Sequence, residues 1–163
     1  MSLVTKQELP LREAPSLLFK TTDLVRQFLE GVNFMHKHHV AHLDLKPDNI
    51  VITATNRLLI IDYDVSVQVS GPESWIQGYR GTKGWAAPEL EEHPDRKYQP
   101  IRADLWSAGR VLEYFADRQD RRTSGPINTL AFRLLRHNPQ ERLPLSKILD
   151  DPILELKEEE VSL

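Results

Sequence analysis

Leu24, Val25, Phe28, Leu29, Val32 and Met35 recur at three- and four-residue spacing over 23–38. That period predicts an amphipathic helix. Thr22 suits its N-cap and Asp23 the positive end of its dipole. Gly31 interrupts the stripe at a cost of up to about 1 kcal/mol relative to alanine, which predicts a close-packing position. Two β-branched runs, 49–52 and 58–62, flank the polar stretch 53–57 and predict a hairpin. Further helical periods fall at 103–116 (Leu105, Ala108, Leu112, Phe115) and 127–136 (Ile127, Leu130, Leu134, Leu135). A short fourth helix opens at Pro144 and stops before Pro152. Residues 1–21, with Pro10 and Pro15, read as a linker with room for one short helix. Glycines and prolines spread through 63–100 predict a long irregular stretch, and such a loop in a compact domain is functional or disordered. The acidic run from Glu155 to Glu160 predicts a solvated tail. The fold expected from these elements is mainly α, a helical bundle with one small β-hairpin.

Composition narrows the function classes. At 163 residues the chain suits one domain with a real core. A content of 40% hydrophobic and 28% charged residues excludes disordered, collagen-like and membrane-embedded chains. The longest apolar run, Leu58–Ile61, is far short of the roughly 20 residues a bilayer needs. Twenty-one basic against 24 acidic residues give a net charge of −3, so no basic field for nucleic acid exists and no membrane partner is expected. The late arginines, Arg118 to Arg142, read as a solvated face. The absence of cysteine removes disulfides, zinc–cysteine sites and thiol catalysis. The N-terminus carries neither a basic nor an apolar leader region, and an intracellular setting, cytoplasmic or nuclear, is expected. His38 and His42 have i,i+4 spacing, but the helix should end near His38, which disfavours a zinc site. Trp75, Trp85 and Trp106 lack a basic groove beside them and are expected in the core. Ser70, Ser74 and Thr82 are read as uncharged loop residues ahead of phosphorylation sites.

The chemistry gathers at His42-Leu43-Asp44-Leu45-Lys46-Pro47-Asp48-Asn49, just before the hairpin. Asp62 stands thirteen residues after Asn49, at the end of the next strand. A hairpin should bring Asn49 and Asp62 face to face, and two oxygen ligands so placed suit a hard ion such as Mg²⁺. Asp44 is suited to accept a hydroxyl proton and Lys46 to neutralise a transferring phosphoryl group.

These residues resemble the catalytic loop of eukaryotic protein kinases, His-Arg-Asp-Leu-Lys-Pro-x-Asn. Asp62-Tyr63-Asp64 resembles the kinase Asp-Phe-Gly motif, and Gly81-Thr82-Lys83-Gly84-Trp85-Ala86-Ala87-Pro88-Glu89 resembles the end of an activation segment. Asp104-Leu105-Trp106-Ser107-Ala108-Gly109 and Pro139-Gln140-Glu141-Arg142 resemble the start of the central helix and the Pro-x-x-Arg near the domain's end. Order and spacing agree over residues 9–154, and Lys46-Pro47 with Thr82 resembles the serine/threonine class. The resemblance implies a protein-kinase C-lobe over residues 22–154, with a linker at 1–21 and an acidic tail at 155–163. It implies Asp44 as catalytic base, Lys46 on the γ-phosphate, Asn49 and Asp62 on Mg²⁺, and Thr82 in the substrate loop. It implies a buried Glu89–Arg142 ion pair, Asp104 accepting catalytic-loop N–H groups, and core hydrogen bonds for His36 and His42. ATP and Mg²⁺ are the implied cofactors, and a protein substrate or scaffold partner the implied partner.

Four departures stand beside the match. The sequence contains no Gly-x-Gly-x-x-Gly loop and no Val-Ala-x-Lys strand, so the N-lobe half of the nucleotide site is not in it. Leu43 replaces the arginine that reads an activation-loop phosphate. Asp64 replaces a glycine, adding a carboxylate and, at positive φ, strain. About a dozen residues separate the last two long helices, where the family carries a docking helix. Two functions follow: a serine/threonine kinase C-lobe, weak or inactive alone, or a non-catalytic scaffold of the pseudokinase type. An apolar patch around Val4, Leu9, Leu11 and Ile50, with self-association through it, is expected where the N-lobe would sit.

Overall fold

The computed structural model describes residues 8–13 and 21–155. The first long helix, α1 (Thr21–Lys37), buries Leu24, Val25, Phe28, Leu29, Val32 and Met35, the stripe read from the sequence. Thr22 lies inside the helix rather than capping it. Gly31 faces the hairpin: a Cβ there would sit 3.3 Å from Ile60 Cδ1.

The hairpin is β3 (Ile50–Ile52) and β4 (Leu58–Ile60), antiparallel with Ile50 opposite Ile60. A third strand, β1 (Leu9–Pro10), pairs with β3 on its other side. The segment expected to be linker therefore supplies an edge strand, where proline's missing N–H costs no ladder bond. In the expected apolar patch, Leu11 and Ile50 are buried instead, Leu9 is half-buried, and Val4 lies outside the described residues. The exposed apolar residues beside the hairpin are Leu59, Ile61 and Tyr63. Strand alternation explains the exchange: Leu58 and Ile60 pack against the core that contains α1, so Leu59 and Ile61 turn outward.

The irregular stretch is less irregular than its sequence. Val67–Gln68 (β5) pairs with Val40–Ala41 (β2), and Ile76–Gln77 (β6) pairs with Lys97–Tyr98 (β7). Between β6 and β7 lies a short helix, α2 (Pro88–Glu91). The next helix, α3 (Pro100–Asp117), starts three residues earlier than expected, with Pro100 at its first turn. Asp104 consequently lies inside the helix, fully buried, rather than at its start. Helix α4 (Arg121–Leu134) starts six residues early and carries Pro126 within it. Asp120 caps it, accepting from the N–H groups of Arg122 and Thr123 at 3.0 Å each. The packing of α3 on α4 needs Gly109, where a Cβ would meet Leu135 Cγ at 2.8 Å. A last short helix, α5 (Leu145–Leu149), closes the main core formed by α1, α3, α4 and the hairpin. A second apolar cluster (Ala41, Leu43, Ala87, Leu90, Tyr98, Ile101) joins the loop before the hairpin to α2 and the start of α3. Trp85 and Trp106 pack against these clusters as expected, but Trp75 is exposed. Residues 156–163 of the acidic tail lie outside the described residues.

Candidate active site

The site is built on Asp104. Its Oδ1 accepts the Leu43 N–H at 2.7 Å, and its Oδ2 accepts the His42 N–H at 2.6 Å and meets His36 Nε2 at 3.1 Å. These bonds hold Leu43 at φ 65°, a left-handed conformation that costs a non-glycine residue roughly 1–2 kcal/mol. The turn swings the Leu43 side chain into the second apolar cluster and the next residue, Asp44, toward the surface. Gly81 approaches from the loop before α2 at φ 99°; a Cβ there would lie 2.4 Å from the Leu43 carbonyl oxygen. His42 completes the frame. Its Nδ1 accepts the Asp44 N–H, so its Nε2–H donates to Ile61 O at 3.0 Å.

Three expected site residues meet at a fourth, Asp44. Its Oδ1 accepts the Thr82 hydroxyl at 2.7 Å, and its Oδ2 accepts Lys46 Nζ at 2.8 Å and Asn49 Nδ2 at 3.0 Å. Lys46 Nζ also donates to Thr82 Oγ1 at 2.6 Å, and Asn49 Nδ2 to the Asp44 carbonyl at 2.9 Å. The turn Pro47–Asn49 brings Lys46 and Asn49 back onto Asp44. Burial, and then the charges of Glu91 and Asp44, raise the nearby Tyr79 hydroxyl's pKa.

Asp62 is placed differently from its expectation. The ladder partner of Asn49 is Ile61, whose N–H donates to Asn49 O at 2.9 Å; Asp62 lies one residue beyond. The register of the hairpin, Ile50 opposite Ile60, leaves it there. Asp62 itself adopts φ 64°, while Asp64 is not at positive φ, so the strain expected at Asp64 falls on Asp62. Both carboxylates are exposed, and neither makes a hydrogen bond or ion pair among the described residues. Tyr63 rests on His42, with ring centroids 4.9 Å apart, and donates its hydroxyl to Ile60 O at 3.2 Å.

The donor set suits Mg²⁺. Both amide hydrogens of Asn49 go to Asp44, which leaves Oδ1 without a donor. No buried side-chain polar atom among the described residues lacks a partner, so that oxygen reaches solvent. With the Asp62 carboxylate it offers two hard oxygens, the few-ligand pattern this ion accepts.

The Glu89–Arg142 pair lies away from these groups. Arg142 is 1% exposed and forks onto Glu89 with two bonds of 2.7 Å. Its remaining hydrogens reach the carbonyls of Arg136, Arg102 and His137, so all five donors are used.

This geometry accompanies a clear family match. The family model described as protein kinase domain matches residues 5–119, more than two thirds of the chain. The chain belongs to the protein kinase family. Among relatives, serine/threonine-protein kinase 17A of Oryctolagus cuniculus is 43% identical over 96 residues, covering 56% of this chain and 22% of that protein. Serine/threonine-protein kinase ppk34 of Schizosaccharomyces pombe is 26% identical over 151 residues, covering 79% and 42%. The Nik-related protein kinase of Homo sapiens is 36% identical over 89 residues, covering 53% and 6%. The chain thus spans less than half the length of each of these relatives. Protein kinases in general use ATP and Mg²⁺. No helix among the described residues is long and apolar enough to cross a membrane, and none of their His, Asp and Glu side chains form a group of three suited to a metal.

Sequence reasoning missed Glu73, which accepts from both Gln99 and Arg102 at the start of α3. No motif contains them, and the two-residue β6–β7 ladder that helps bring the segments together is invisible to periodicity.

Proposed function

We propose that residues 22–154 form the C-lobe of a serine/threonine protein kinase, with the Leu9–Pro10 strand as its edge. The carrying observation is the Asp44 carboxylate, held between the Thr82 hydroxyl, Lys46 and Asn49. Asp44 accepts the proton of an incoming Ser or Thr hydroxyl, taking the place Thr82 Oγ1 now holds at Oδ1. Lys46 sets its ammonium beside the reacting oxygen and lowers the cost of negative charge there. Asn49 Oδ1 and the Asp62 carboxylate would hold Mg²⁺, which when bound with ATP offsets the charge of the triphosphate. Thr82, one residue from the Gly81–Leu43 contact, positions the loop on which a protein substrate lies. Asp104 and the Glu89–Arg142 pair hold the two loops and take no part in transfer.

The decisive comparison joins this chain to a kinase N-lobe. Asp44→Asn should then lower turnover by at least about 10²-fold, and unchanged turnover would refute the assignment. The chain by itself should bind Mg–ATP weakly and turn over negligibly, because the sequence holds no glycine loop or strand lysine. Micromolar affinity by isothermal titration would contradict that.

Leu43 and Asp64 favour a second reading: a non-catalytic scaffold that binds a protein partner. Joined to an N-lobe, it would bind nucleotide without transfer. In either reading Leu59, Ile61 and Tyr63 form the apolar surface open to a partner or a second copy. Sedimentation as a strict monomer at high concentration would count against self-association there.

A further inference from the structure

A cavity of about 190 Å³ opens where the last turns of α1, the loop at Pro72–Glu73, the first turns of α3 and the start of α5 meet. Neither Asp44 nor Asp62 lines it, and one side faces solvent. Ile101, Leu105 and Leu145, all buried, form its walls with Pro72 and Pro144. Close-packed interiors leave few voids larger than a water molecule, so an apolar hollow of this size is a place for a ligand.

The polar side chains lining the same space divide into two sets. His36, Glu73 and Arg102 are committed to the protein. His36 Nε2 meets Asp104 Oδ2 at 3.1 Å. Glu73 accepts from Gln99 at 2.8 Å and from Arg102 at 3.0 Å, and Arg102 also donates to the Arg142 carbonyl at 3.2 Å. Asn33, Lys37 and Ser146 make no side-chain hydrogen bond or ion pair among the described residues. Arg102 and Glu73 neutralise each other, so the exposed Lys37 leaves the cavity with one uncompensated positive charge.

We propose that this cavity binds a small monocarboxylate with an apolar body. The body lies on Ile101, Leu105 and Leu145. The carboxylate answers Lys37, and the Asn33 amide and Ser146 hydroxyl are the neutral donors of the same space. Drug-sized ligands fill roughly 300–1,000 Å³, so the acid is smaller than these. A cation would be repelled by Lys37, and a dianion would set a second charge against apolar walls or beside Glu73. Hexanoate has the required character. The proposal stands apart from the kinase reading, since none of these groups serves transfer.

The test is an NMR titration of the purified 163-residue chain, following backbone amides. Hexanoate is the probe, and 1-hexanol, hexylamine and acetate are its matched controls. Hexanoate should shift amides of 33–37, 101–105 and 145–146 saturably. Hexanol lacks the charge and acetate the apolar body, and each should bind at least about fivefold more weakly. Hexylamine should not bind. Lys37→Met keeps an apolar stem and should weaken hexanoate about fivefold while leaving hexanol unchanged; Lys37→Arg should restore the acid. Ser146→Trp places a large ring at an exposed position of the lining and should abolish binding of both, with a thermal midpoint near wild type. The absence of a saturable hexanoate shift would overturn the proposal. So would equal affinity for hexanoate and hexanol, shifts centred on another face, or wild-type hexanoate affinity in Lys37→Met.

Discussion

Asp44 and Asp62, the two carboxylates of the proposed site, differ in almost every physical respect. Asp44 is half-buried, and three side chains of its own chain satisfy its oxygens. Asp62 is exposed, at positive φ, and makes no hydrogen bond or ion pair among the described residues. Behind Asp44 the pattern of full satisfaction continues through Asp104 and, farther off, Arg142. The end proposed to place a proton acceptor is thus finished by folding alone. The end proposed to face phosphate and metal is left with lone pairs turned to solvent, the condition of a group that gains its partners with a ligand.

That contrast orders the expected effects of mutation. Arg142→Ala leaves Glu89 half-buried without its partner and strands three carbonyls. It should destabilise the chain by about 3–5 kcal/mol, seen as a lower urea midpoint; a loss under about 1 kcal/mol would show the interior pair to be dispensable. Gly81→Ala sets a Cβ against the Leu43 carbonyl at a backbone angle alanine resists, at a cost of roughly 2 kcal/mol or more. If its thermal midpoint matches wild type, the contact between the two loops is looser than described.

Tyr98 gives a test by pH. Burial pushes its hydroxyl up to about 12 from the ordinary 10.0. The folded chain therefore holds this proton more tightly than the unfolded chain. The stabilisation is fully present below pH 10 and is lost as pH rises toward about 12. Tyr98→Phe should remove that part of the alkaline loss measured by denaturant titration; an identical alkaline profile would argue that the hydroxyl is not sequestered. The smallest expected change is Asp62→Asn. With no partner to lose, its unfolding free energy should stay within about 0.5 kcal/mol of wild type. A larger destabilisation would mean that Asp62 is structural, and the contrast with Asp44 would collapse.

Much of this arrangement was legible in the residues, and the failures have specific causes. The α1 stripe and the hairpin turn carry their periods locally, and the motif around Asp44 names its residues outright. The beginnings of α3 and α4 were misplaced because the apolar stripe starts after Pro100 and Pro126, while the helices start at Pro100 itself and at the Asp120 cap. The strands β1, β5, β6 and β7 have two residues each, too short for any alternation to register. Their existence depends on a partner far away in sequence. Asn49 and Asp62 were expected to face each other because spacing counts residues but not register, and the observed register pairs Asn49 with Ile61.

Residue types alone determined which chemistry is possible: a carboxylate, an ammonium and an amide within six positions, at the mouth of an apolar hairpin. Burial decided the rest. Which carboxylate is fully bonded, which is bare, and which glutamate meets Gln99 and Arg102 depend on where distant segments meet. A hydrogen bond spanning 38 or 61 residues, as from Thr82 to Asp44 or Leu43 to Asp104, forms only after the helices have packed.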